Sequence, residues 1–428
     1  MTTIDAGQVA ALRDTVLPVG TKGMPLNSST QSLAAFVDAK PSVVGGDLPM
    51  PAAVLRSREV GANIVAMQEY CDAHGALLAP HGKTTMAPQL FERQIEAGAW
   101  ALTAATPAHL RLYRQFGIDR IIYANQLVEK GVISWLAGEL ADDERFDFYS
   151  LADSVDAVEL LEAELARARC PRPVKILIEV GHADGRCGVR DNAAAQEVAA
   201  AVDAAQHLEL VGVECFEGLL PGIGDDTSAV DDFLATVHDI ATTLIESTSL
   251  RSASSILVTA GGSLWFDRVL AAFAQPGWPV PARIVLRSGC YVTQDGELYD
   301  QGSPLAGRRA GEALLRNALE VWSAVLSRPE PGLIITSMGR RDCSFDAGLP
   351  RPIRIVRRDG DIELLSDATT LKLSDQHAHV AVSPDADISV GDLICSTVSH
   401  PCTTLDKWKV LPVVDDSYRV VDAVVTFF

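Results

Sequence analysis

Two short stretches of this chain hold side chains that could do chemistry. The first is Pro80-His81-Gly82-Lys83-Thr84, which follows the apolar, strand-like run Gly75-Ala76-Leu77-Leu78-Ala79 and leads into a helical pattern. A partly desolvated lysine at the carboxyl end of a barrel strand is placed to form a Schiff base with a carbonyl. The plainer alternative is a solvated surface amine. The second stretch, far downstream, is His400-Pro401-Cys402. In an extended segment, side chains two residues apart project to one side. Imidazole with thiolate suits zinc better than magnesium or calcium. Two donors are few, however, and cysteine also serves as a small buried apolar residue. His377 and His379 share the same spacing and are either competing ligands or members of an ordinary strand.

Two further motifs offer groups for an anion or a ring. Thr259-Ala260-Gly261-Gly262-Ser263 lies between a strand and a helical stretch starting near Trp265. Its backbone amides could cradle a phosphate in the loop after a late barrel strand, and Gly-Gly equally serves a tight turn. Arg186, in Gly181-His182-Ala183-Asp184-Gly185-Arg186-Cys187-Gly188, and Arg287, in Arg287-Ser288-Gly289, each close a strand. An arginine there orients a cofactor ring or an anion, or pairs with a neighbouring acid.

The elements that must position these groups alternate. Apolar, β-rich runs recur at Gly75–Ala79, Ala101–Ala104, Arg120–Ala124, Phe146–Leu151, Val174–Val180, Leu210–Glu214, Ser255–Thr259 and Arg283–Leu286. Stretches of helical spacing separate them. The clearest is Val230, Phe233, Leu234, Val237, Ile240, Ala241 and Leu244, entered through Asp225-Asp226-Thr227-Ser228 as N-cap candidates. Eight strands, each but the last followed by a helix, predict a (β/α)8 barrel, with an open doubly wound sheet as the alternative. After residue 290 short strands dominate, at Gly332–Thr336, Pro352–Val356, Ala378–Val382 and Arg419–Val425, as in a mostly antiparallel β domain. A helix is expected over about Leu305 to Leu326, bridging the two parts. Residues 1–45 do not classify themselves.

Composition sets the outer bounds. The chain has 428 residues, 48% of them hydrophobic, enough for more than one core. Its 36 Lys and Arg against 56 Asp and Glu give a net charge of −20, which argues against a nucleic-acid partner. No secretory signal and no membrane-spanning apolar run are visible, so no membrane partner is expected. Eight scattered cysteines fit reduced thiols and a cytoplasmic location.

Together these residues resemble the fold-type III pyridoxal-phosphate enzymes of the D-serine dehydratase and D-threonine aldolase family. The likeness is carried by Pro80–Thr84, Glu96-Ala97-Gly98-Ala99, Ala124-Asn125-Gln126-Leu127-Val128, Gly185-Arg186-Cys187-Gly188-Val189, Leu286-Arg287-Ser288-Gly289-Cys290-Tyr291 and His400–Trp408. The resemblance implies an alanine-racemase-type (β/α)8 barrel over 46–288 and a β domain made of 1–45 and 289–428. It implies a homodimer, a small D-amino acid as substrate, and two cofactors, pyridoxal 5'-phosphate and Zn2+. Lys83 would carry the pyridoxal phosphate, and Gly261, Gly262 and Ser263 would hold its phosphate. Arg186 and Arg287 would lie near its ring, His81 would be a candidate base, and His400 and Cys402 would be the metal ligands.

The implied reaction is dehydration of D-serine-like 3-hydroxy amino acids to a 2-oxo acid and ammonia. The alternative is D-threonine aldolase-type cleavage to glycine and an aldehyde. His-x-Cys resembles the dehydratases, whereas the aldolases carry His-x-Asp. Asp375-Gln376-His377 departs from the family's acidic-acidic-His triplet. Gly339–Asp346 is a loop expected to contact substrate.

Overall fold

The eight β-rich runs all become strands, and they are parallel because helical segments return the chain between them. A computed structural model describes residues 2–25, 32–220, 226–296, 300, 302–306, 314–358, 360 and 362–428. It divides into two units. One is made of Met1–Asp5, Gln68–Lys83 and Gln94–Gly289, and the other of Ala6–Met67, Thr84–Arg93 and Cys290–Phe428. The chain's first strand, β1 (Ala52–Arg56), belongs to the second unit. The next eight are β2 (Leu77–Leu78), β3 (Leu102–Ala104), β4 (Arg120–Gln126), β5 (Asp147–Ala152), β6 (Val174–Val180), β7 (Leu208–Cys215), β8 (Ile256–Ala260) and β9 (Ala282–Leu286).

These eight pair in the order β2-β9-β8-β7-β6-β5-β4-β3, every pair parallel. The two end strands then meet. His81 and Thr103 form a parallel bridge, the Trp100 N–H donates to Leu78 O at 2.7 Å, and the Thr103 hydroxyl donates to Ala79 O at 2.7 Å. The sheet therefore closes into a barrel. Its interior is filled by Trp100, Ile122, Tyr149, Leu151, Leu177, Leu257 and Val285, a packed core rather than a pore.

The helices start where the sequence offers caps. Thr106, Ser154 and Asp191 each accept a backbone N–H three residues on, opening Pro107–Gln115, Val155–Ala168 and Asn192–Ala204. The Val230–Leu244 stripe is the buried face of the helix Ser228–Ser247. Its start departs from the expected cap: Asp225 lies outside the described residues, and the Thr227 hydroxyl donates to Asp231 at 2.7 Å instead of capping. Among the described residues, no helix is long and apolar enough to cross a membrane.

The second unit is a β domain with strands β10 (Leu319–Glu330), β11 (Leu333–Thr336), β12 (Arg351–Val356), β13 (Ile362–Leu364), β14 (Thr369–Leu373), β15 (Ala378–Ala381), β16 (Leu393–Thr397), β17 (Val410–Val414) and β18 (Val420–Val425). They order as β13-β12-β16-β10-β1-β17-β18, with β11, β15 and β14 continuing from β10. All pairs are antiparallel except β1 with β17.

The helix expected over Leu305–Leu326 does not run that length: from Leu319 on the chain is the strand β10, while 307–313 lie outside the described residues. β10 is flanked by β1 and β16, so its first half is buried on both faces, Glu320 and Ser323 included, and shows no apolar–polar alternation of a strand. The unclassified N-terminal residues find their place here. Leu17, Met24, Leu33, Phe36, Val37 and Val43 share one core with Val54, Trp322, Cys395 and Tyr418.

One glycine is required by the barrel. Gly212 sits at φ +155°, beside the register shift where β7 bulges against β6, and a Cβ there would lie 1.8 Å from Leu257 O. Gly212→Ala is therefore expected to destabilise the fold by about 3 kcal/mol, the upper end of overpacking costs. Gly61→Ala, on the helix Ser57–Ala73 with open space around it, should be neutral or stabilising by up to about 1 kcal/mol. Thermal unfolding of the two variants checks the contrast.

Candidate active site

Parallel closure brings every strand's carboxyl end to one face of the barrel, where loops carry function in this architecture. Lys83 lies there in the single 3-10 turn Gly82–Thr84, beyond the His81–Thr103 bridge, with its side chain exposed. His81 keeps a buried Nδ1 without a partner among the described residues. Burial, then the charges of Lys83 and Arg287, hold its imidazole well below the ordinary histidine range. His109 is pushed down to about 4 by burial and by Lys83, and its Nδ1 accepts the Ala105 N–H at 3.2 Å. Two neutral imidazoles thus border the lysine. Sequence reading missed His109. The signal was its place in the first turn of a helix following a barrel strand.

A second group missed in the sequence is a set of buried carboxylates, Glu179 on β6, Glu214 on β7 and Glu217 just after it. An acid at the end of an otherwise apolar parallel strand was the available sign. Arg287, 3% exposed, donates to Glu214, to Thr259 Oγ1 at 2.8 Å and to Cys215 O at 3.2 Å. Its Nε and the Oε2 of Glu214 have no partner among the described residues. Burial raises Glu214, and Arg287 opposes that rise. Glu179 accepts from Gln126 and is pushed up to about 7 by burial and by Glu214.

The Gly261-Gly262-Ser263 turn is held close to the Arg287 backbone and offers an amide to a carboxyl group. Gly261 has φ +156°, and a Cβ would lie 2.4 Å from the Arg287 backbone nitrogen, so only glycine lets the two loops approach. The Gly262 N–H donates at 2.7 Å to Glu217 Oε1, a carboxylate on the amide that a phosphate would use. Ser263 is buried, and the Ser288 hydroxyl donates to Gly262 O at 2.7 Å.

Arg186 is exposed and lies over the Phe216 ring at 4.8 Å. In the same loop the Gly188 N–H donates to Asp153 at 2.9 Å. Asp153, Glu179 and Cys187 each bring one donor atom within 4.8 Å of the others, the one such trio among the described residues.

In the second unit, His400 and Cys402 are not in extended backbone. Pro401 is helical and Cys402 opens the one-turn helix Cys402–Leu405, so the spacing rule for strands does not apply to the pair. The His400 Nδ1 pairs with Asp346 Oδ2 at 2.6 Å, which leaves Nε2 as the free donor nitrogen. The Thr403 hydroxyl donates to the other Asp346 oxygen at 2.9 Å. Burial would lift Asp346, and the bonds from His400 and Thr403 more than reverse it. The His400 N–H also donates to Ser344 Oγ at 3.2 Å. The Gly339–Asp346 loop therefore orients His400.

The Cys402 thiol donates to the Thr84 hydroxyl at 3.5 Å and lies 3.5 Å from the thiol of Cys290. Imidazole and thiolate with a hydrogen-bonded outer layer are a soft donor set of the kind zinc takes. His379 sits on β15 between β11 and β14.

A closed parallel barrel with a strand-end lysine and a glycine anion turn, continued by an antiparallel β domain, defines the alanine-racemase-like class of enzyme folds. The chain belongs to the family of the alanine racemase N-terminal domain, whose model matches residues 56–271, and a putative serine dehydratase domain matches 318–414. It is 24% identical over 387 residues to a 3-hydroxy-D-aspartate aldolase of Paracoccus denitrificans (strain Pd 1222), covering 87% of this chain and 91% of that protein. Among solved structures it is similar to a D-threonine aldolase from Filomicrobium marinum, with a TM-score of 0.74 at 20% identity over 90% of this chain and 96% of that one. It is also similar to a D-threo-3-hydroxyaspartate dehydratase from Delftia sp. HT23, with a TM-score of 0.71 at 18% identity over 91% and 99%. A cysteine-to-alanine mutant of a D-threo-3-hydroxyaspartate dehydratase in the metal-free form is similar as well, with a TM-score of 0.71 at 19% identity over 91% and 99%.

The raised Glu179 makes a pH signature. Its carboxyl titrates near 7 when folded against an ordinary 4.5, so the folded chain keeps a proton that the unfolded chain gives up. Stability from this group is present below about pH 4.5 and is lost as pH rises towards 7. Glu179→Gln should flatten that decline, raising Tm relative to the parent at pH 8 more than at pH 5. Thermal unfolding at the two pH values decides it.

Proposed function

We propose that this chain is a pyridoxal-phosphate- and zinc-dependent lyase that dehydrates D-serine-like 3-hydroxy amino acids to a 2-oxo acid and ammonia. The observation that carries the reading is the joint presence of a strand-end lysine, an anion turn and a soft thiol–imidazole donor set in one chain. The cofactor's place is supported by the Gly261 approach, the anion-occupied Gly262 amide and the unpartnered Nδ1 of His81. Lys83 would hold it covalently, Gly261, Gly262 and Ser263 would take its phosphate, and Arg186 and Arg287 would supply positive charge near its ring. When bound, pyridoxal phosphate acts as the electron sink that makes the substrate Cα–H acidic.

Lys83 Nζ then takes the proton from Cα. His81 and His109, held neutral, add no positive charge beside that amine. His400 and Cys402 would hold the zinc, which as a Lewis acid makes the β-hydroxyl a better leaving group. Loss of the Cα proton and the Cβ hydroxyl amounts to loss of water. The product hydrolyses to the 2-oxo acid and ammonia. A homodimer and a cytoplasmic location belong to the same reading.

A second reading, cleavage of Cα–Cβ to glycine and an aldehyde, is favoured by the names of the aldolase relatives. His81 would there accept the proton of the β-hydroxyl. The thiol in the donor set favours the first reading, because thiolate selects soft metals over the harder divalent ions.

D-Threonine can follow either path and so separates them. Incubated with the purified protein, pyridoxal phosphate and zinc, it should yield 2-oxobutanoate and ammonia. Glycine and acetaldehyde would establish cleavage instead.

A further inference from the structure

Cys290 begins the short 3-10 helix Cys290–Val292, is 7% exposed, and has no part in the chemistry above. Its Sγ lies 3.5 Å from that of Cys402. A disulfide would require closing that gap to about 2.05 Å. Two thiolates on one tetrahedral zinc, each bonded at about 2.3 Å, stand about 3.8 Å apart. The observed separation is close to the second geometry and far from the first. The hydroxyl of Thr84, 3.5 Å from the Cys402 sulfur, can turn to donate to it once the thiol is ionised.

We propose that Cys290 is a ligand of the metal held by Cys402 and His400, giving a two-thiolate, one-imidazole set with a fourth position open to a substrate oxygen. The inference rests on the reading of His400 and Cys402 as metal ligands. The thiol pair is already assembled. His400, its Nδ1 on Asp346, supplies the third donor by turning towards the pair, since its ring nitrogen and the two sulfurs do not all lie within 4.8 Å of one another. Three protein donors with an open fourth site are the arrangement of catalytic rather than structural zinc.

The second thiolate also sharpens metal choice. It further disfavours magnesium, calcium and manganese, whose preferred donors are oxygens. It adds negative charge to the metal, which moderates its pull on a bound hydroxyl.

Zinc-edge X-ray absorption of the wild-type protein loaded with one equivalent of zinc counts the sulfurs directly, without turnover. The expected result is two sulfur scatterers at about 2.3 Å, falling to one in Cys290→Ser with the zinc retained more weakly. One sulfur in the wild type, unchanged in Cys290→Ser, would overturn the proposal while leaving Cys402 a ligand. No sulfur at all would remove the proposal together with the reading beneath it. Should Cys290→Ser fail to fold, the wild-type count decides, since Cys290 is the thiol beside Cys402.

Discussion

Arg287 is buried at the carboxyl end of the barrel, and the site is arranged around that placement. A guanidinium taken out of water needs partners on most of its N–H groups, and here β7 and β8 supply them through Glu214, Cys215 O and Thr259. Three neighbouring strand ends are tied by one side chain. Removing either member of the Glu214–Arg287 pair leaves a buried charge uncompensated, a loss of roughly 3–5 kcal/mol. The same backbone crowds Gly261, so the turn that could hold a phosphate exists only as glycine. Its charge also reaches His81 and helps keep that imidazole neutral.

The carboxylates around this arginine form a graded set. Glu214 is paired, Glu217 rests on the Gly262 amide, and Glu179 shares a hydrogen bond with Gln126. An anion arriving at Gly262 must displace Glu217 or find it protonated. Burial already raises Glu217, which eases that exchange. The barrel end thus holds positive charge, neutral rings and a replaceable anion in one place. That combination suits the role proposed for Lys83, of holding a cofactor and moving a proton.

Much of this was legible in the sequence because the period of the elements is strong. Eight apolar runs gave the barrel, and the Lys83 and Gly261–Gly262 motifs fell at strand ends where loops act. What could not be read were contacts set by the third dimension. Glu179 and Glu214 looked like parts of strands, and only closure of the sheet turns them inward. Cys290 looked like part of a spaced motif, and only folding sets its thiol beside Cys402. β10 was misread as helix because a strand buried on both faces loses its alternation. The strand spacing offered for His400 and Cys402 does not hold at Pro401 and the helical turn after it, and their reading as metal ligands rests on residue type and the family resemblance.

The account turns on Lys83 as the residue that carries the cofactor. Reducing the pyridoxal-phosphate-loaded protein with borohydride and mapping the labelled peptide by mass spectrometry tests this without any assumption about substrate. The account predicts one pyridoxyl group, on Lys83. A label on another lysine, or none, would contradict it.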